Sequence, residues 1–445
     1  MKYQRYAAYK ESGVEWLGDV PEHWEVWKLS HAFEQIGSGT TPKSDATEYY
    51  EGGTIAWVNT GDLNDGELFD CEKKVTELAL RDCSSLKIFP ENSLVIAMYG
   101  ATIGKLALLR FEATVNQACC VFCDGSLIQS KFLFYSFIGV RQHIVSLATG
   151  GGQPNISQDI LRSLKLSAPE KNEQTKIAAF LDHETAKIDT LIEKQRRLIE
   201  LLKEKRQAVI SHAVTKGLNP NAPMKDSGVE WLGEVPEHWI LKNYRYATKI
   251  YRGKFGHRPR NDPAFYDGDY PFIQTGDIAR AGKKITTYSQ TLNEKGVGVS
   301  HKFPSGTLVM AIAANIGDTA ILDFEAYAPD SVVGFKPNRD IDLEFLRYSL
   351  LAALPALEQT STQSTQANLN IDRIGTVKAS FPPLEEQQEI VNKLDKLIEM
   401  YGAIEIKAVD AIELMQERRT ALISAAVTGK IDVRNWQTIN KDVAA

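Results

Sequence analysis

The sequence contains two copies of one thirteen-residue segment, and this internal repeat limits the possible folds more than any other feature. Residues 12–24 are identical to residues 227–239 except that Glu234 replaces Asp19. Further matches follow at nearly the same spacing, including residues 57–63 with 272–278 and residues 208–215 with 421–428. Internal similarity at a fixed spacing indicates a duplicated structural unit. The chain of 445 residues is therefore two tandem units of about 213 residues each.

Each unit has two parts with different compositions. Its first 145 or so residues are rich in glycine, aromatic and β-branched residues, with short apolar runs such as residues 93–99 between turn residues. Residues 172–216 then contain no glycine or proline, and residues 384–428 contain only Gly402. These patterns predict an α+β fold with a strand-rich domain and one long helix in each unit. The expected boundaries are 1–168 and 219–383 for the domains, 169–218 and 384–430 for the helical spacers, and 431–445 for a C-terminal tail.

The two predicted helices carry apolar residues at alternating steps of three and four, the spacing of a coiled-coil seam. The second seam repeats the first at an offset of 213 residues. Two unrelated surface helices, each packed on its own domain, remain an alternative. Equal registers and lengths favour packing of the helices on each other as an antiparallel coiled coil. The predicted seam residues are Ile177, Leu181, Ile188, Leu191, Leu198, Leu202, Ile390, Leu394, Leu397, Tyr401 and Ile404.

Composition limits the cellular setting and the redox state. The chain has no apolar stretch long enough for a membrane helix, and its first residues lack the apolar segment of a signal peptide, so we expect a cytoplasmic protein without a membrane partner. Its five cysteines are then expected to be reduced thiols.

Motifs for catalysis and for metal binding are missing from the sequence. Residues 100–106 resemble a phosphate-binding loop but are one residue short and lack the final hydroxyl. Cys119, Cys120 and Cys123 suggest a zinc site, but the second unit has Val332, Val333 and Lys336 at these positions, which favours a buried strand. We therefore expect no catalytic residue, no metal and no cofactor on this chain.

The two domains differ in charge although they share an ancestor. The whole chain has a net charge of −6, so any contact with nucleic acid must be local. Residues 28–88 hold 6 basic and 11 acidic side chains, whereas residues 242–302 hold 12 and 5. Basic residues among glycines and aromatics suit contacts to phosphates and to guanine, although a solvated charge run remains an alternative. The candidates for DNA binding in this region are Arg252, Lys254, Arg258, Arg260, Lys283 and Lys284.

Polar loops with small residues provide further candidates in the first unit. Residues 37–43, 99–102 and 150–155 are rich in glycine, serine and threonine, which allow a backbone to approach a ligand closely. The candidates for DNA binding in these loops are Lys43, Tyr99, Thr102, Gln153 and Asn155.

Over essentially its whole length the chain resembles the specificity subunits of type I restriction-modification enzymes. The resemblance rests on residues 13–18 and 21–24 with their second copies, residues 37–42, the turn at 155–157, and residues 423–431. It also rests on the Glu-Gln pairs at 173–174 and 386–387, which open the helices. Each of these motifs is weak alone, but their duplicated order is specific.

The resemblance implies a non-catalytic subunit that binds double-stranded DNA. Each domain would be a target recognition domain for one half of an asymmetric bipartite site, and the helices would set the spacing and dock two methyltransferase subunits. Motor-nuclease subunits would join the full complex. Adenosylmethionine, ATP and magnesium are expected on the partners, in an adenine methyltransferase and type I endonuclease complex. The alternatives are a self-contained DNA-modifying enzyme and a coiled-coil scaffold that reads no sequence.

Overall fold

A computed structural model describes residues 3–123, 125–150, 154–258, 260–313, 316–359, 369 and 371–437. The chain divides into two compact units, of which unit 1 is made of two separate stretches of sequence and unit 2 of one. Unit 1 consists of Met1–Gln195 and Val409–Ala445, and unit 2 consists of Arg196–Ala408. Each unit therefore combines one strand-rich domain with one half of each long helix. Among the described residues, none of the helices has the length and apolar content needed to cross a membrane.

The strand-rich part of unit 1 is built from short elements joined by turns. Its elements are β1 (Tyr9–Glu11), β2 (Asp19–Pro21), β3 (Glu25–Lys28), α1 (Leu29–Ala32), β4 (Ile36–Ser38), β5 (Ile55–Val58), β6 (Gly66–Leu68), β7 (Lys74–Val75), α2 (Glu77–Asp82), β8 (Leu94–Ala97), β9 (Leu106–Leu109), β10 (Thr114–Val115), β11 (Cys119–Phe122), α3 (Ser130–Gly139), α4 (Arg141–Ser146), α5 (Gln158–Ser163) and β12 (Lys165–Ala168).

A five-stranded sheet in the order β4-β11-β8-β9-β6 forms the centre of this domain. Strands β8, β9 and β11 are buried on both faces, which explains their uninterrupted apolar sequences. A smaller sheet, β10-β5-β7, lies beside it, and β12 pairs antiparallel with β3. In that pair Lys165 lies opposite Lys28, so the two ends of the domain are held next to each other.

Unit 2 repeats this arrangement with some differences in detail. The remaining helices of the chain, including the two long helices that both units share, are α6 (Lys171–Lys216), α7 (Tyr244–Ala247), α8 (Thr275–Arg280), α9 (Glu294–Val299), α10 (Leu343–Gln359), α11 (Ile371–Thr376) and α12 (Leu384–Val427). The strands are β13 (Met224–Asp226), β14 (Glu234–Pro236), β15 (Ile240–Asn243), β16 (Thr248–Arg252), β17 (Tyr266–Phe272), β18 (Lys284–Ile285), β19 (Gln290–Leu292), β20 (His301–Phe303), β21 (Leu308–Ala311), β22 (Thr319–Leu322), β23 (Ala326–Ala328), β24 (Val332–Pro337) and β25 (Lys378–Phe381).

The central sheet of unit 2 has the order β16-β24-β21-β22-β18, which matches the central sheet of unit 1 strand for strand. Strand β15 pairs with β25 as β3 pairs with β12. The second sheet differs, because unit 2 has a four-stranded sheet, β19-β17-β23-β20, where unit 1 has three strands. The duplicated α+β fold is confirmed, and the divergence lies in the outer sheets and loops.

The predicted long helices are α6, with 46 residues, and α12, with 44 residues. At 1.5 Å per residue, each is on the order of 65–70 Å long. In unit 1 their segments run antiparallel: Arg419 donates to Asp189 at 3.0 Å, and Lys176 donates to the carbonyl of Arg434 at 3.3 Å. In unit 2 Arg206 pairs with Glu405 at 3.2 Å, and Gly217 after α6 lies against Glu386 near the start of α12.

Most of the predicted seam residues are buried or half-buried, but two in the middle of the helices are exposed. Ile177, Leu181, Ile188, Leu202, Ile390 and Leu394 are buried, and Leu198, Leu397 and Tyr401 are half-buried. The structure corrects two predicted seam residues, since Leu191 is 48% exposed and Ile404 is 37% exposed. Ile192 and Ala408 are buried near them instead. After Ile188 the first step along the seam is four residues rather than three, and both steps are compatible with 3.6 residues per turn.

A buried glutamine fixes the start of each long helix to its domain. Gln174 is fully buried; its side chain donates to the carbonyls of Leu127 and Pro169, at 2.8 Å each, and accepts from the backbone of Gln129. Gln387 makes the equivalent bonds to the carbonyls of Asp340 and Pro382 and to the backbone of Asp342. A buried amide with all these partners holds its surroundings in one geometry.

The glutamate before each of these glutamines binds the tryptophan of the repeated segment. Glu173 accepts hydrogen bonds from Trp24 at 3.1 Å and Tyr6 at 2.7 Å, and it pairs with His23 at 2.9 Å. Burial and the hydrogen bond to Glu173 raise the pKa of Tyr6 well above its ordinary value. In unit 2 Glu386 binds Trp239 and His238 in the same way. The repeated segment is therefore an anchor between each domain and the start of its helix.

Candidate nucleic-acid interface

Each domain has a loop that passes directly over the backbone of another segment, and a glycine makes the crossing possible. The loop after β4 crosses at Gly39, where a Cβ atom would lie 1.7 Å from the carbonyl oxygen of Val115. The loop after β16 crosses at Gly253, where a Cβ atom would lie 1.9 Å from the carbonyl oxygen of Pro329. Any other residue would collide with main-chain atoms at these two points. We call residues 39–43, and residues 253–258 with 260–262, the crossing loops.

The crossing loop of unit 1 is held by neutral contacts. The indole of Trp57 donates to the carbonyl of Thr40 at 3.2 Å, and the hydroxyl of Tyr50 donates to the carbonyl of Pro42 at 2.6 Å. Thr41 donates to the side chain of Gln117. Lys43, a predicted DNA-binding residue, is exposed at the end of this loop.

A second loop cluster of unit 1 brings together three predicted DNA-binding residues. Tyr99 forms an isolated backbone bridge with Asn155, and the hydroxyl of Thr102 donates to the carbonyl of Tyr99 at 3.4 Å. Tyr99 is 39% exposed and Asn155 is exposed, so both side chains are accessible to a ligand. The predicted residue Gln153 lies outside the described residues.

The crossing loop of unit 2 is charged. Arg252 at the end of β16 and Lys254 just after the crossing are both exposed. The Nη2 atom of Arg260 lies 2.6 Å from each carboxylate oxygen of Asp330, and Arg258 donates to the same carboxylate at 3.4 Å. Exposed side chains of this kind are available to phosphates, but two of the four already share an internal carboxylate.

The remaining two predicted residues of unit 2, Lys283 and Lys284, have different surroundings. Lys284 is exposed, whereas Lys283 lies between two carboxylates. It pairs with Asp395 of α12 at 2.8 Å and with Glu344 of α10, and Tyr348 donates to Asp395 at 2.6 Å. Burial alone would raise the pKa of Asp395, but the hydrogen bonds from Lys283 and Tyr348 outweigh it and lower the pKa. In the structure Lys283 joins the domain to the long helix.

Unit 1 contains a similar set of ionic contacts to the long helix, with the domain charges in the opposite order. Lys131 of α3 pairs with Glu67 of β6 at 3.3 Å and with Asp182 of α6 at 2.7 Å, and Tyr135 donates to Asp182 at 2.7 Å. The cation comes from the helix in unit 1 and from the segment before β18 in unit 2. The long-helix aspartate is the same in both units. Lys131 and Glu344 are equivalent at an offset of 213, whereas the strand register aligns Glu67 with Lys284, the residue after Lys283.

We expect reversal of the charge at Lys283 to destabilise unit 2 unless the charge at Glu344 is reversed as well. K283E places three carboxylates together and should lower the free energy of unfolding by about 1–2 kcal/mol, as for a partly exposed ion-pair network. The double variant K283E/E344K places a carboxylate before β18 and an ammonium group on α10, and should regain most of this loss. Urea unfolding measures both effects, with K284E as the control for an exposed lysine next in sequence. If the double variant lost as much free energy of unfolding as the two single variants together, residues 283 and 344 would not be coupled.

The cysteine cluster has the surroundings of a buried strand. Cys119, Cys120 and Cys123 are all buried, and burial raises the pKa of the Cys119 thiol to about 12 and also raises that of Cys120. Such thiols resist the deprotonation that zinc binding requires. Within the described part of the chain, His, Cys, Asp and Glu side chains form no group that could hold a metal ion.

Several anchoring residues were not identified from the sequence as having a structural role. Asp182 and Asp395 recur at an offset of 213, as do Tyr135 and Tyr348, so comparison of the two units was the available signal. Asp330 carried no such signal, since the equivalent residue of unit 1 is Gln117.

Comparison with known proteins identifies a family. The family model described as "Type I restriction modification DNA specificity domain" matches residues 21–201 and 255–414. The type I restriction enzyme MjaIX specificity subunit of Methanocaldococcus jannaschii is 25% identical over 294 residues, 63% of each chain. The putative MjaX specificity subunit of the same organism is 25% identical over 435 residues, 94% of this chain and 96% of the relative.

A solved structure shares the fold. It comes from a study of complex assembly and conformational transition of the type I R-M system, with a TM-score of 0.71 and 15% identity, and the match covers 92% of this chain and 98% of the other. At this identity the likeness shows the fold alone. The family model, in contrast, spans more than half of the 445 residues in two separate matches, one in each repeat. The chain belongs to the type I restriction-modification DNA specificity family.

Proposed function

We propose that this chain is the DNA-recognition subunit of a type I restriction-modification complex, in which each of the two domains reads one half of an asymmetric bipartite site. The observation that carries the proposal is the divergence of two domains on one framework. Their central sheets match strand for strand, whereas the crossing loops differ in sequence and charge. Two recognition domains with the same framework and different loops are suited to two half-sites of different sequence.

The duplication suits the symmetry of DNA. Double-stranded DNA has local two-fold axes, and proteins with two related reading modules place them on successive segments of the major groove. Because the two modules here are not identical, the half-sites they read need not be related by symmetry. An unread spacer between the half-sites follows if the long helices set the distance between the modules.

Catalysis in this proposal belongs to the partners. Two methyltransferase subunits dock on the repeated helical segments, which offer two equivalent surfaces, and motor-nuclease subunits join the full complex. Adenine is the proposed methylated base, with adenosylmethionine bound by the methyltransferases and ATP and magnesium used in restriction. Membership of the specificity family supports partnership of this kind, as does the similar fold of a protein solved in a study of type I complex assembly.

Reconstitution tests the division of labour. The purified chain alone should neither methylate nor cleave DNA, whereas the chain with its methyltransferase partner should transfer methyl groups to one bipartite sequence. Light scattering of that complex should give the mass of two partners and one chain. Methyl transfer by the isolated chain, or a complex that methylates without sequence preference, would contradict the proposal.

A further inference from the structure

Two arginines and one aspartate in unit 2 have the geometry of an occupied anion site. One terminal nitrogen of Arg260, Nη2, lies 2.6 Å from both oxygens of Asp330, and Nη2 of Arg258 lies 3.4 Å from one of them. Guanidinium groups bind carboxylates and phosphates through the same N–H donors, so a carboxylate is a close chemical substitute for a phosphate oxyanion. The three side chains are between 39% and 55% exposed, so the site is open to solvent.

The backbone around this site holds Arg258 and its loop in place. Arg258 also donates to the carbonyls of Phe255 and His257, at 2.7 and 2.8 Å. The ring of His257 stacks on Phe265 with 4.0 Å between centroids, and His257 pairs with Asp262 at 3.0 Å. The arginine is therefore presented by a packed loop rather than by a free chain end.

The same position in unit 1 lacks all three charges. There the crossing loop contacts the segment before β11 through Thr41 and Gln117, and Gln117 is the counterpart of Asp330 at an offset of 213. The loop-to-loop contact is thus a shared feature of the fold, and its neutral version is sufficient to hold the loop. The charges of Arg258, Arg260 and Asp330 in unit 2 therefore suggest a role besides holding the loop.

We infer that Arg258 and Arg260 form a binding site for a backbone phosphate of DNA, and that Asp330 occupies this site in the free chain. This inference rests on the proposed function, because it assumes that the crossing loop of unit 2 faces DNA. A phosphate displaces the Asp330 carboxylate and takes over its contacts with the arginines. Asp330 therefore lowers the affinity for any DNA, which leaves the choice of site to contacts with the bases.

The variant D330N tests the inference in the full chain. Exposed ion pairs contribute about 0.2–1 kcal/mol each, so release of two arginines should tighten binding about three- to tenfold. Fluorescence anisotropy with a duplex of about 30 base pairs and arbitrary sequence, at about 50 to 200 mM KCl, measures the affinity and its salt dependence. D269N is the matched control, since it removes the same charge from an exposed carboxylate of the same unit.

The double variant R258Q/R260Q shows whether the arginines carry the effect. It should bind more weakly, and the slope of log affinity against log salt should fall by up to about 1.8, or 0.9 for each lost phosphate contact. Adding D330N to the R258Q/R260Q variant should not increase its affinity for DNA. A gain that persists without the arginines, or a D330N chain that binds no more tightly than the original, overturns the inference.

The outcome is separable from that of the proposed function. The duplex has an arbitrary sequence and no partner is present, so this assay does not depend on sequence reading or on complex formation. A complex that reads a bipartite site, with a D330N chain of unchanged affinity, refutes only the anion site. An arginine-dependent gain in D330N, with no sequence preference in the reconstituted complex, refutes only the proposed function.

Discussion

Insertion of seven residues into both long helices is expected to lengthen the unread spacer of the DNA target by up to about three base pairs. The insertions belong after Gln195 in α6 and after Ala408 in α12, which are the two points where the chain passes between its compact units. A heptad keeps the apolar seam in register and adds about 10 Å at 1.5 Å per residue. Base pairs are about 3.4 Å apart, so both half-sites should keep their sequences while the distance between them grows.

Selection from a DNA library with randomised spacers measures this change. The domains would also turn about the duplex by about 100°, so a smaller increment is compatible with the account. A matched control inserts the heptad into α6 alone, which should disrupt the helix pair and abolish site selection. A complex that stays active with the original spacer would show that the helices do not set the separation.

Exchange of residues 28–168 for the equivalent domain of a relative is expected to change one half of the target completely and to leave the other half unchanged. The structure favours this exchange because both junctions lie in the β3–β12 pair, where Lys28 is opposite Lys165 and Ala168 is opposite Glu25. The exchanged segment also carries Glu67 and Lys131 together, so a donor that brings its own pair can meet Asp182 of the long helix with matched charges.

The methylated sequences of the hybrid complex show which half has changed. A hybrid with a junction between residues 67 and 131 is the informative control, because it separates the two domain members of the ion set. If a hybrid with both outer junctions intact recognised two new half-sites, the domains would not read DNA independently.

The duplication made the overall fold predictable from the sequence. Matching offsets in the two halves gave the strand-rich domains, the long helices and their relative direction, because each feature had to occur twice. The absence of glycine and proline from residues 172–216 was enough to identify α6, which extends over Lys171–Lys216. Periodicity was a less reliable guide to the seam in the middle of the helices. There a step of three residues from Ile188 selects Leu191 and a step of four selects Ile192, and both fit a helix almost equally well.

The candidate site was less predictable because sequence shows charge but not pairing. Lys283 and Lys284 are adjacent and look alike in the sequence, yet only Lys283 lies between two carboxylates. Arg258 and Arg260 stood out as basic residues, but their partner Asp330 is 70 residues away from Arg260. Such contacts depend on how the crossing loop passes over the segment before β24, and this path is set by tertiary structure.

Genome-wide mapping of methylated bases, in host cells with and without this chain, tests whether the chain directs methylation to a bipartite site. Intact cells should carry methylation at one asymmetric sequence made of two short specified parts and an unread spacer, and this methylation should disappear without the chain. An unchanged methylation map, or the loss of a continuous or palindromic motif instead of a bipartite one, would contradict the account.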